Sequence, residues 1–221
     1  MFGTNAFHLI ALFTGLSLAA LLAMVATSFL KLVVVMGLIR NALGIQSIPP
    51  NMVLNALAVI LTFYILSPVG EEMWSLYGKL SAEVPSEGKV EDWTRIVVKS
   101  AEPYRRWLDK QTGERERAFF VSTAERLWRK DGAEAQGVSP NSFHILIPSF
   151  CVSELSRAFK IGFLVYLPFI AIDIIVSNIL LAMGMMMVSP VTISLPFKLL
   201  LFVMVDGWTL LIQGLVRGYM V

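Results

Sequence analysis

Apolar residues fall in four long runs, at about 7–30, 52–70, 161–188 and 195–216. Each run approaches or exceeds the ~20 residues a helix needs to cross a hydrocarbon core. Between the second and third runs the pattern changes: Trp93, Ile96 and Val97, then Tyr104, Trp107 and Leu108, then Phe120, Ala124, Leu127 and Trp128 recur at helical spacing among polar residues. The pattern predicts an all-α membrane protein in which four hydrophobic helices form hairpins and a small helical polar domain is inserted between them. Its parts are residues 1–70, 71–147 and 148–221, and Trp93, Trp107 and Trp128 are expected in the core of the middle part. The first run ends at Lys31, and an interfacial helix continues through LVVVMGLIRNALG until Gly44 and Pro49-Pro50 stop it. The second begins with Asn51 as N-cap and fades at Ser67-Pro68-Val69-Gly70. Turn-rich joints stand at 84–89, 111–114 and 131–142.

Composition strengthens the membrane reading: 56% of the 221 residues are hydrophobic, 15% are charged, and the mean hydropathy is +0.70. Residues 71–160 hold 14 of the 18 Lys and Arg and 14 of the 16 Asp and Glu, so a charge-balanced block interrupts an apolar chain. No nucleic-acid partner is expected. The 31–50 loop carries Lys31 and Arg40 and no acid, which places it inside, whereas residues 71–90 carry four acids against two lysines, which places the polar block outside. Arg157, Lys160 and Arg217 pull the other way. The first apolar run has no Lys or Arg before it, so a cleavable signal peptide is not expected.

The sequence argues against most chemistry. Cys151 is the single cysteine, which excludes an internal disulfide and a cysteine-built metal cage. His8 and His144 lack ligand-spaced companions and no Gly-rich phosphate loop is present, so no metal, nucleotide or other cofactor is expected. The Gly214–Gly218 pair reads as chance or simple packing. The polar residues inside the last two runs are more informative: Asp173 and Asn178 in the third, Lys198 and Asp206 in the fourth. An ionisable group at bilayer depth faces a partner or a wet path, and an interhelical pair that only fixes assembly fits equally. Two aspartates could share a proton for peptide hydrolysis, but the contexts AIDII and MVDGW lack the Gly-x-Gly-Asp of intramembrane aspartyl proteases. No enzyme is expected. A small-molecule transporter or ion channel with Asp173, Asp206 and Lys198 lining a midplane site is the alternative, although four short spans show no inverted repeat. Asp206-Gly207-Trp208 reads as a capped helix break, and Asp173 as bonding backbone or groups beside Asn178.

Two long stretches carry a resemblance: PSFCVSELSRAFKIGF at 148–163, and LPFIAIDIIVSNILLAMGMMMVSPVTISLPFKLLLFVMVDGW at 167–208. With SFLKLVVVMGLIRNALGIQSIPPNMVLNALAVILTFYILSPVG at 28–70, they resemble the R subunit family of the type III secretion export apparatus, whose flagellar member is called the P protein. Ser149 stands where many members have alanine. The resemblance implies a bacterial inner-membrane protein that passes unfolded secreted proteins out of the cytoplasm, its polar domain on the periplasmic side. It implies several copies of this chain, a homo-oligomer, joined by the S and T subunits in a cone-like gate. It further implies that Glu154 and Lys198 pair at subunit contacts and that Met185, Met186 and Met187 form a ring-like seal, a methionine gasket, at the pore. Asp173, Asn178 and Asp206 remain as intramembrane structural positions.

Overall fold

The computed structural model describes residues 2–45, 47–82, 90–128 and 139–220, with side chains from residue 9 onward except at 11, 19, 90 and 91. Every regular element among them is a helix: α1 Phe2–Val25, α2 Phe29–Ala42, α3 Asn51–Ala82, α4 Val90–Ser100, α5 Glu102–Gln111, α6 Glu114–Leu127, α7 Phe143–Ala182, α8 Pro190–Met204 and α9 Gly207–Arg217. The chain is an all-α membrane protein. α3 and α7 are each long and apolar enough to cross a bilayer, and there are up to four spans if α1 with α2 and α8 with α9 each count as one. The joints expected at 84–89 and across most of 131–142 lie outside the described residues.

Three helix boundaries differ from the sequence reading. α3 does not fade at Pro68 but runs on to Ala82. Pro68 removes one backbone bond, and the helix formers around it, including Glu71, Glu72 and Met73, carry the helix on. α7 starts at Phe143, well before the apolar run at 161, and its 40 residues span roughly 60 Å at 1.5 Å per residue, about twice a hydrocarbon core. Its first turns are amphipathic rather than oily, with Ile145, Leu146 and Phe150 buried. Asn51 does not cap α3. The Pro50 carbonyl accepts from the N–H groups of Val53 (3.0 Å) and Leu54 (3.3 Å), while the Asn51 side chain accepts from Arg40 at 2.5 Å.

The chain divides into two compact units, residues 1–30 with 62–154 and residues 31–61 with 155–221. In the first, α5 and α6 contact the start of α7 and α4 packs on α5: Ile96, Trp107, Leu108 and Ala124 are buried, the Trp107 and Phe150 rings stand 5.3 Å apart, and Ser153 Oγ lies 3.5 Å from the Glu116 carboxylate. Of the three tryptophans expected in this core only Trp107 is buried, whereas Trp93, on α4, and Trp128, just past the end of α6, are 40% and 49% exposed because the chain turns those positions outward. Backbone ends are satisfied by side chains. Gly113 N–H donates to Ser153 Oγ at 2.9 Å, and Ser153 and Ser149 donate to carbonyls four residues back, at 2.8 and 2.6 Å. At the end of α1, Tyr104 donates to the Ala26 carbonyl and Cys151 to that of Val25 at 3.2 Å. Burial pushes the Tyr104 phenol above its ordinary pKa, while the hydrogen bond from Arg105 holds the partly exposed Glu102 carboxyl below its own.

In the second unit, α2 buries Leu32, Val35, Met36, Ile39 and Ala42, a stripe at three- and four-residue spacing. Lys31 stands 3.6 Å over the Tyr219 ring, which accommodates a buried cation on an aromatic face. Arg40 also donates to the Pro49 carbonyl at 3.2 Å and so closes the loop after α2. α7 presses on α2 at Gly162, where an added Cβ would lie 2.2 Å from a Leu38 methyl. α8 and α9 meet at a 59° bend.

Candidate functional site

The turn between α7 and α8 is dictated by its glycine and proline. Met185 N–H donates to the Leu180 carbonyl at 2.9 Å and Gly184 N–H to that of Leu181 at 3.0 Å, the paired closure of a helix whose next residue is left-handed. Gly184 supplies that conformation, with φ +74°, free of the Cβ clash any other residue would bring. Pro190 then opens α8, where its missing N–H is no loss. Met185, Met186 and Met187 are thereby confined to the tip of a helical hairpin. They are 40%, 83% and 101% exposed, although burying a side chain of this size stabilises by about 1.5–3 kcal/mol.

A polar cluster joins the two arms of the same hairpin. Lys198 Nζ donates to Asp173 Oδ2 at 2.5 Å and to the Ala42 carbonyl at 3.2 Å, and Ser194 Oγ donates to Asp173 Oδ1 at 2.6 Å. Ser194 and Lys198 lie one turn apart on α8 and therefore share a face. Ala42 is the last residue of α2, so its carbonyl lacks an intrahelical donor and sits at the negative end of the helix dipole. The Lys198 side chain is 4% exposed and that of Asp173 32%. A cation buried this deeply is tolerated because an opposite charge and a carbonyl both face it.

The structure thus brings Asp173 and Lys198 together within the second unit. Asp173, expected to bond backbone or groups near Asn178, takes the lysine and a serine instead, because α7 and α8 run side by side at this level; Asn178 is exposed. Glu154 is fully buried, within the first unit. Asp206 occupies the break before α9 with φ 52°, and its side chain makes no capping hydrogen bond. Ser194 and the Ala42 carbonyl are the partners that sequence reasoning missed. The four-residue spacing of Ser194 and Lys198 was the only signal for the serine, and a carbonyl leaves none. The second unit also holds a cavity of about 640 Å³ lined by Ile39, Val165, Phe169, Phe202 and Leu211 among other apolar residues, with no ionisable side chain to bind a polar solute.

The FliP family matches this chain over residues 12–215. The chain is 50% identical over 212 residues to the Yop proteins translocation protein R of Yersinia pestis, covering 96% of this chain and 95% of that one. It is 45% identical over 216 residues to the virulence protein YscR of Salmonella typhimurium, with 96% of each covered. It is 42% identical over 213 residues to the hypersensitivity response secretion protein HrcR of Ralstonia nicotianae, again with 96% of each covered.

Proposed function

We propose, from the premise that this chain belongs to the FliP family, that it is the pore-forming subunit of a type III export apparatus and that its methionine turn is the seal. The protein is an inner-membrane component of a type III secretion apparatus, a machine of several subunits. Its relatives bear the names of translocation, virulence and hypersensitivity proteins, which favours an injector over a flagellum. Several copies, with S and T subunits, surround one path for unfolded secreted proteins, and Glu154 and Lys198 pair at the subunit contacts, the lysine engaging Glu154 in addition to Asp173. The polar helices α4 to α6 stand on the periplasmic side.

The observation that carries the reading is the exposure of Met185, Met186 and Met187 at the tip of the α7–α8 hairpin. Repeated around an axis, these side chains form a ring of thioethers. Methionine is unbranched and polarizable, so it fills an irregular gap yet shifts readily when a chain pushes through. A narrow apolar ring also excludes water and ions while closed. Replacing all three with alanine is expected to leave the assembled complex intact on native gels and to make the membrane leak ions. An unchanged leak with normal secretion would refute the seal.

A further inference from the structure

We propose that Ser194, Asp173, Lys198 and the Ala42 carbonyl form the anchor that sets where the methionine turn stands, with α2 as its fixed support. The proposal rests on the reading of that turn as a seal. Asp173 is nine residues before the end of α7, so the tip stands roughly 14 Å beyond the anchor at 1.5 Å per residue. Of residues 174–193, Leu180 alone is buried. The arms are therefore held at the anchor and by little else up to the tip.

The support is α2 rather than the hairpin itself. Lys198 reaches the Ala42 carbonyl as well as Asp173, and a methyl group added at Gly44 would touch Leu195 at 3.6 Å and Val191 at 3.9 Å. The end of α2 thus packs on the first turns of α8, and the lysine caps it. Ser194 completes the geometry by holding the second oxygen of Asp173, which fixes the carboxylate plane and with it the rotation of α8 against α7. These are positioning residues for the seal, and they touch no exported chain.

The test uses the complete export complex with Met186→Cys, oxidised to crosslink neighbouring copies. With Ser194 present, a strong crosslink between copies is expected. Adding Ser194→Ala should leave the complex at full size on native gels, lower crosslink yield about tenfold, the shift expected from one lost charge-assisted hydrogen bond, and raise the ion leak. Exchanging the charges, Asp173→Lys with Lys198→Asp, should not restore the crosslink, because an anion would then face the Ala42 carbonyl. Unchanged crosslinking in Ser194→Ala, its failure to assemble, or rescue by the exchanged charges would each overturn the anchor. Absence of the crosslink with Ser194 in place would overturn the seal reading and the anchor with it.

Discussion

Gly184 shows how one residue controls the site. Nothing lies within 4 Å of a Cβ built there, so a side chain would be resisted by the backbone alone, through φ +74°. Gly184→Ala should cost about 1–2 kcal/mol and displace the turn, whereas Gly184→Asn should keep more of the secretion, since asparagine visits the left-handed region. Secretion assays on the two variants check this, and equal loss in both would show that the left-handed backbone is not what this position requires. The turn was legible because Gly184 and Pro190 act locally. The need of Lys198 for a partner was equally legible, since a charge in LPFKLLLF is costly wherever it points. The identity of that partner was not: Asp173 is 25 residues away, and only the alignment of α7 with α8 brings the two to 2.5 Å. The burial of Trp107 and exposure of Trp93 and Trp128 follow the same rule, because spacing gives a face but not its direction.

At the scale of elements, the apolar runs located the helices while proline and composition misplaced their ends. The apolar run fades at Ser67-Pro68-Val69-Gly70, yet α3 passes through it, and the polar residues in the turns of α7 before residue 161 interrupt the apolar run while their hydroxyls are satisfied within the helix. Contact between elements depends on small residues that a single sequence cannot interpret. Gly162 is one: an alanine there would bring its Cβ to 2.2 Å from Leu38 Cδ1 and 3.2 Å from Leu38 Cβ. The methyl can rotate away but the Cβ cannot, so Gly162→Ala should destabilise by about 1–3 kcal/mol. Adding Leu38→Ala should recover part of that loss, and a double-mutant cycle on the melting of the purified protein measures the coupling. Strict additivity would mean that α2 and α7 do not meet here. The Gly214–Gly218 pair shows the converse, since a Cβ at Gly214 meets nothing within 4 Å.

At the scale of the whole molecule, the chain exposes long apolar faces on α3, α7 and α8, including Phe63, Phe163, Leu164, Phe197 and Val203. Lipid or neighbouring subunits must cover such faces. Composition made the membrane class legible, and the long runs at 148–163 and 167–208 made the family legible. What one chain could not display is a ring, because the proposed seal exists only when several tips converge. The most direct measurement of that claim is crosslinking from Met186→Cys to a secreted protein stalled during export. A covalent adduct between that cysteine and the stalled chain is expected, lost when no substrate is engaged. No adduct, while cysteines elsewhere in the same complex capture the stalled chain, would contradict it.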